Sequence, residues 1–232
     1  MEKTKLILLH GWLFDSHVWT NFRDKLSDDY EIYSPDLPGY GDNYLIKNNV
    51  IFLNDYIKDI NSECVVIGWS YGGLIAKKCM EKNKLIEKII LINSYLPNDK
   101  SFISINRIDV LIRELQSNRA KAIKNFIYEC CKNSSTPISD MKMLNKDMMR
   151  TRYPSNEVLI NNLEDLKATN KRDFDIIDSD KSYLIIGEND HFRGTNDPNF
   201  KCNVVTINKM GHLPFYSSCE NVIISIRKFL SR

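Results

Sequence analysis

Short apolar runs recur along the chain and alternate with segments of helical periodicity. Several of the runs are continuous rather than alternating, which is typical of strands buried on both faces of a parallel sheet. The runs cover positions 5–9, 31–34, 63–68, 88–93, 182–187 and 202–208, and the main helical patterns cover 17–26, 50–60, 71–82 and 217–230. This alternation predicts an α/β fold with a mostly parallel central sheet and helices on both faces.

The alternation stops between positions 97 and 170. Helix-like patterns at 109–116, 120–131 and 140–150 follow one another there without a convincing strand. We therefore predict a helical cap at 97–170, inserted into a core formed by 1–96 and 171–232. A length of 232 residues fits one domain that carries such an insertion.

Composition excludes several classes of protein. A hydrophobic share of 43% and a charged share of 27% are ordinary for globular chains, and a net charge of +2 gives no indication of a nucleic-acid partner. No apolar run reaches the length of a membrane span or a secretory signal. The six cysteines lack metal-binding spacing, which favours reduced thiols. We expect a cytoplasmic monomer that needs no metal or other cofactor.

The strongest chemical motif is the segment Gly-Trp-Ser-Tyr-Gly at 68–72, which follows an apolar run and precedes a helical pattern. A Gly-x-Ser-x-Gly segment between a strand and a helix is typical of a nucleophile elbow. Its glycines permit a turn too tight for side chains, and the start of the helix favours a developing anion. A chance match in an ordinary turn is the alternative, and the strand–turn–helix context favours Ser70 as a nucleophile.

A serine nucleophile needs a base and an acid that orients the base. His212 follows the run at 202–208, Asp190 follows the run at 182–187, and the chain order Ser, Asp, His is the one this elbow uses. His191 competes with His212 but adjoins Asp190, so the two side chains are expected to point in different directions. The rival acids are Glu188, Asp197 and, more weakly, Asp165.

The segment His10-Gly11-Trp12 follows the first strand and supplies a candidate donor for the oxyanion hole. In elbow hydrolases the oxyanion hole combines the amide after the nucleophile with an amide from such a loop. These are the backbone N–H groups of Tyr71 and Trp12. We expect His10 to brace the loop rather than react, and His17 to lie at the surface or cap a helix. The aromatic residues that could line an acyl pocket, or equally pack in the core, are Trp12, Phe14, Trp69, Tyr71, Phe126 and Phe215.

Together these segments resemble the α/β-hydrolase superfamily over nearly the whole chain. Within it, they are similar to the pimeloyl-acyl-carrier-protein methyl ester esterases of biotin synthesis. The resemblance implies a Ser70–His212–Asp190 triad. It also implies that Trp12 and Tyr71 bind the substrate carbonyl, and that Phe126 lies in the cap against the acyl chain. The segments that carry it are 10–12, 18–19, 36–39 with Gly41, 68–70, 72–74, 163–164, 166–167, His212 and 214–215.

The chain departs from that family at two places. Segment 126–130 matches only at Phe126, and the stretch between Asp190 and the next strand leaves little room for the usual helix. The same triad also fits a general short-chain carboxylesterase or thioesterase, or a lyase or carbon–carbon hydrolase. A ligand receptor with a hydrolase-like pocket is the non-enzyme alternative.

The predicted cap is basic although the whole chain is nearly neutral. Between Arg107 and Arg152 there are ten basic and five acidic residues, a net charge of +5, which leaves −3 for the rest of the chain. An ordinary solvated surface is one interpretation. The other is a docking surface for an acidic acyl-carrier protein, whose acyl chain would reach Ser70 beneath the cap. Its candidate residues are Lys121, Lys124, Lys142, Lys146 and Arg150.

Overall fold

A computed structural model describes residues 3–94, 104–149, 152–169, 180–193 and 203–231. Six strands in this part of the chain form one parallel sheet in the order β2-β1-β3-β4-β5-β6. They are β1 (Lys5–Leu9), β2 (Glu31–Tyr33), β3 (Cys64–Trp69), β4 (Ile86–Ile92), β5 (Ser182–Gly187) and β6 (Asn203–Ile207).

The central strands are covered on both faces. Every residue of β3 and β5 is buried, and so are four of the five residues of β1. Successive side chains of a strand point to opposite faces, so continuous burial requires packing on both. The edge strand β6 instead alternates between half-buried and exposed positions until its last residue. These observations confirm the predicted fold class.

Four helices outside the cap, among the residues that the structure describes, cover the sheet. Helix α3 packs on β3 and β4 and is flanked by α2, whereas α7 packs on β5, β6 and α1. A short 3-10 helix, Ser16–Trp19, leads into α1. The helices are α1 (Thr20–Leu26), α2 (Asn49–Ile60), α3 (Tyr71–Met80) and α7 (Cys219–Leu230).

In the described part of the segment between β4 and β5, three helices form the cap: α4 (Ile105–Cys131), α5 (Pro137–Met148) and α6 (Asn156–Ala168). The first two predicted cap segments lie on one helix, α4, which is broken by the non-helical backbone of Asn118. The Asn118 side chain accepts a hydrogen bond from Lys121 N, so it starts the second half as a cap residue would. No predicted segment covered α6. The predicted boundaries at 96/97 and 170/171 lie outside the described residues.

Two further observations concern membrane spans and cysteines. Within the described ranges, no helix is long and apolar enough to cross a membrane. Of the six cysteines, the five that the structure describes are buried and carry free thiols. Burial raises the pKa of the Cys79 thiol to about 12, which keeps this thiol protonated at neutral pH. Cys202 lies outside the described residues.

In the turn between β3 and α3, backbone atoms lie so close to one another that side chains do not fit between them. Ser70 has φ 53° and ψ −120°, a left-handed conformation that side chains disfavour. A Cβ atom on Gly68 would lie 2.4 Å from Gly73 Cα, and one on Gly72 would lie 2.4 Å from Leu9 O. Both neighbouring atoms belong to the backbone and cannot rotate away. The glycines on either side of the serine are therefore required by close approach.

We predict that Gly72→Ala lowers the free energy of unfolding by at least about 2 kcal/mol, because α3 must shift away from β1 to admit the methyl group. Urea denaturation followed by circular dichroism measures this loss. Lys228→Ala, an exposed substitution on α7, serves as the control and is expected to stay within about 0.5 kcal/mol of the wild type. A Gly72→Ala protein as stable as the control would contradict the steric account.

Candidate active site

Three side chains from different strand ends meet in one hydrogen-bonded chain. Ser70 follows β3, Asp190 lies three residues after β5, and His212 lies in the loop after β6. His212 Nε2 is 3.1 Å from Ser70 Oγ, and His212 Nδ1 is 2.9 Å from Asp190 Oδ2. An Nδ1–H that donates to the carboxylate leaves Nε2 free to accept the serine proton. The structure therefore brings together the three residues that the sequence singled out.

The loop that carries His212 is held through its backbone. The Asn93 side chain donates to Gly211 O at 2.9 Å and to His212 O at 3.0 Å, and its Oδ1 accepts from Gly187 N at 2.7 Å. Trp69 Nε1 also donates to His212 O, at 2.9 Å. Asn93 adopts a positive φ of 45°, a conformation that asparagine tolerates better than most residues. Sequence reasoning missed Asn93, although a polar residue directly after a buried strand was a usable signal.

The imidazole of His212 is packed between aromatic rings. The ring of Phe192 stacks on it with centroids 4.0 Å apart and an angle of 17° between the planes, and Trp69 lies 5.4 Å away. Phe192 N also donates to Asp190 Oδ1 at 3.0 Å, so the carboxylate is held at both oxygens. Phe192 thus restrains both the base and its partner. The sequence analysis did not identify it, because its role depends on the fold of the loop after β5.

The other histidines contact different groups. His10 is buried: its Nε2 accepts from Leu37 N at 3.0 Å, so Nδ1 carries the proton and donates to Gly11 O at 3.0 Å. Burial lowers the pKa of His10, which agrees with this neutral form. His191 Nε2 instead lies 2.8 Å from Glu129 Oε2. His17 contacts Asp15, which caps the 3-10 helix.

Two of the three rival acids contact groups other than His212. Glu188 accepts a hydrogen bond from Lys209 N, and Asp165 lies 3.4 Å from the hydroxyl of Tyr71. Asp197 lies outside the described residues.

The backbone after β1 passes close to the serine. A Cβ atom on Gly11 would lie 3.2 Å from Ser70 Cβ, so no side chain separates this loop from the nucleophile. Two residues later Leu13 has a φ of 78°, an uncommon conformation that turns the chain sharply after Trp12. Tyr71, directly after Ser70, is the first residue of α3, where backbone N–H groups have no partner within the helix. Both predicted oxyanion donors therefore belong to segments that adjoin the serine.

The aromatic residues divide into two groups. Trp12 lies edge-on to Phe126 at 4.6 Å, and Phe126 lies edge-on to Phe192 at 5.7 Å, so Phe126 brings the cap against the rings beside His212. Phe14 is 6.4 Å from Phe126 and belongs to the same group. Phe215, by contrast, packs in the core, where it contacts Trp19, Phe22 and Trp69.

The basic residues of the cap lie at its surface. Lys121, Lys124, Lys142 and Lys146 are exposed, and none of them forms an ion pair with another described residue. A cleft of about 610 Å³ between α4 and α5 is lined by Lys124, Asn145 and several apolar side chains. Lys121 lines a smaller cleft beside Glu114 and Asn118 instead. Arg150 lies outside the described residues.

Comparison with known proteins agrees with this fold. The pimeloyl-[acyl-carrier protein] methyl ester esterase of Shewanella woodyi is 28% identical over 176 residues, which cover 72% of this chain and 68% of that protein. The enzyme of that name from Xylella fastidiosa is 22% identical over 97% of this chain and 94% of its own. An esterase structure from Exiguobacterium antarcticum superposes with a TM-score of 0.82 at 18% identity, covering 100% of this chain and 93% of that one.

The family itself is decided by a match that spans almost the whole sequence. Residues 6–223 match the alpha/beta hydrolase family, and this range includes the elbow, the cap and the loops of Asp190 and His212. The match confirms the family and the hydrolase class that the motifs predicted. The chain belongs to the α/β-hydrolase family.

Proposed function

We propose that this protein is a cytoplasmic serine carboxylesterase that hydrolyses the methyl ester of pimeloyl-[acyl-carrier protein] through an acyl-enzyme intermediate. The observation that carries the esterase part is the hydrogen-bonded chain from Ser70 through His212 to Asp190. The chemistry of such a chain is nucleophilic attack on a carbonyl carbon, assisted by a base that the acid orients.

The reaction proceeds in two halves. His212 Nε2 takes the proton of Ser70 Oγ as the oxygen attacks the ester carbonyl, and then delivers that proton to the departing methoxide, which leaves as methanol. A water molecule that gives its proton to His212 hydrolyses the acyl-enzyme in the second half and restores the serine. The amides of Trp12 and Tyr71 stabilise the oxyanion formed in each half.

Two observations support the proposed substrate: the names of the relatives and the apolar rings beside His212. The relatives from Shewanella woodyi and Xylella fastidiosa are named for the pimeloyl-carrier ester. Trp12, Phe126 and Phe192 form an apolar surface beside His212, suited to the methylene chain of a dicarboxylic monoester. Phe126 comes from the cap, so the acyl chain lies between cap and core.

The carrier protein is proposed to dock on the outer surface of the cap. Two of the five acidic residues between Arg107 and Arg152 turn towards the core: Asp140 accepts from Ser217 Oγ, and Asp147 from Tyr216 OH, each at 2.8 Å. The exposed side chains Lys142 and Lys146 lie four residues apart on α5, and neither acidic residue of that helix is exposed. An acidic carrier would be attracted to this surface.

We expect a fluorophosphonate probe to label Ser70 and Ser70→Ala to abolish ester hydrolysis, because no other described side chain is placed to attack with the help of His212. Peptide mass spectrometry locates the label, and p-nitrophenyl butyrate measures the hydrolysis. Labelling of another residue, together with retained activity in the alanine variant, would refute the esterase assignment.

Replacing the two histidines near Asp190 is expected to have unequal effects. His212→Ala should lower kcat about a hundredfold or more, since only this imidazole reaches Ser70 Oγ. His191→Ala should lower it less than about tenfold, because His191 contacts Glu129 and not the serine. Steady-state kinetics on p-nitrophenyl butyrate compares them. Equal losses would mean that the assignment of the base is wrong.

Reversing the charge of two lysines on α5 tests whether the acyl-carrier protein docks on this helix. Lys142→Glu combined with Lys146→Glu should slow methanol release from the pimeloyl-carrier methyl ester several-fold at low salt, and less at high salt, where exposed charges are screened. Methyl pimelate alone should be hydrolysed at the wild-type rate. Mass spectrometry of the intact carrier follows the demethylation.

A matched double variant at exposed lysines outside the cap, Lys84→Glu with Lys228→Glu, controls for net charge and should leave both substrates unaffected. If both double variants slow the carrier-bound ester alike, docking on α5 is wrong. If the wild type never demethylates the carrier-bound ester but hydrolyses small esters, the protein is a general carboxylesterase and the proposed carrier-bound substrate is wrong.

A further inference from the structure

Both segments proposed to stabilise the oxyanion are anchored to the same cap helix. The indole Nε1 of Trp12 donates to Leu159 O at 2.9 Å, across 147 residues of sequence. The hydroxyl of Tyr71 lies 3.2 Å from Asn162 Oδ1. Leu159 and Asn162 are one turn apart on α6 and both are buried. The two residues that offer their amides to the substrate thus direct their side chains to one face of α6.

The contact at Tyr71 is part of a buried polar network. Asn49 Nδ2 donates to the Tyr71 hydroxyl at 3.0 Å and lies 3.1 Å from Asn162 Oδ1, while Asn162 Nδ2 donates to the Tyr40 hydroxyl at 2.8 Å. Asn162 therefore uses both ends of its amide and joins the Tyr40 loop, α2 and the start of α3 to the cap. Burial raises the pKa of both Tyr40 and Tyr71, and the nearby Asp165 carboxylate, 3.4 Å from the Tyr71 hydroxyl, raises that of Tyr71 further, so both hydroxyls stay protonated.

A buried network in which the donors and acceptors are hydrogen-bonded to one another has one preferred arrangement. Each buried donor that loses its acceptor costs about 1–3 kcal/mol, so small shifts of α6 are resisted by several groups together. The Tyr71 amide is attached to the same residue as the hydroxyl in the network, and it lies directly after the strained Ser70. Displacement of α6 would pull on Tyr71 and on Trp12 at once.

We propose that α6 sets the geometry of the oxyanion hole, with Asn162 as the positioning residue that links the cap to the Tyr71 amide. This inference rests on the proposed esterase function and extends it to the cap. Asn162 touches neither substrate nor Ser70 in this role; it acts through the hydroxyl of Tyr71. The cap then does more than cover the acyl chain, because its placement sets how well the tetrahedral intermediate is stabilised.

The test compares two neighbouring asparagines on α6. Asn162→Ala should lower kcat on p-nitrophenyl butyrate about tenfold, less than the hundredfold or more expected from deleting an oxyanion donor, with KM within about twofold. The rate of Ser70 phosphonylation by a fluorophosphonate, whose P=O oxygen occupies the same hole, should fall by a similar factor. Asn161→Ala, at the exposed neighbouring position, should match the wild type in both measurements.

Tyr71→Phe provides a second route, because it removes the hydroxyl and keeps the ring and the amide. It should reproduce the loss in kcat, and the double variant with Asn162→Ala should be no slower than the slower single variant, since both break the same link. Melting temperatures identify variants that have simply unfolded. Wild-type kcat and phosphonylation rates in both single variants, or a rise in KM alone, would overturn the positioning role.

The proposed function fails in a different way from this inference. Ester hydrolysis that survives Ser70→Ala, or a probe that labels another residue, refutes the serine esterase whatever Asn162→Ala does. A wild type that is labelled at Ser70 and hydrolyses the ester, beside an Asn162→Ala variant as fast, refutes only the role of α6.

Discussion

The approach of α3 to the sheet is closer than side chains would permit, and the whole site depends on it. Gly68 lets the end of β3 lie against Gly73 of α3, and Gly72 lets α3 lie against the carbonyl of Leu9. Ser70, between them, adopts a left-handed backbone conformation. The strain is held by hydrogen bonds on both sides: Ser70 N donates to Ile92 O, and Ser70 O accepts from Ser94 Oγ. The ends of β1, β3 and β4 thereby converge on a single residue.

The parts of the site that the sequence predicted are those with a local signature. A glycine-flanked serine between a strand and a helix predicted Ser70, and polar residues in the loops that follow two strands predicted Asp190 and His212, because parallel strands end at one edge of the sheet. Every predicted strand is also present, and the continuous apolar runs of β3 and β5 correspond to strands buried on both faces.

The parts that the sequence did not predict depend on contacts between distant segments. Phe192 acts through the ring of His212, twenty residues further on, and Asn93 through the backbone of the His212 loop. Tyr71 was expected to be able to line an acyl pocket, yet its hydroxyl reaches α6, because the first residue of α3 points towards the cap. The helix α6 itself was missed: its polar residue Asn162 faces inward, which weakens the apolar periodicity.

Phe126 lies on α4 of the cap and differs from the aromatic residues around it in how it is held. Its neighbours Trp12 and Phe192 are fixed by hydrogen bonds that also serve α6 and Asp190, so changes there would disturb more than the shape of the acyl site. Phe126 contributes only its ring. In the proposed esterase, a substitution at Phe126 would therefore change the shape of the acyl site without displacing the residues that hold His212 and Asp190.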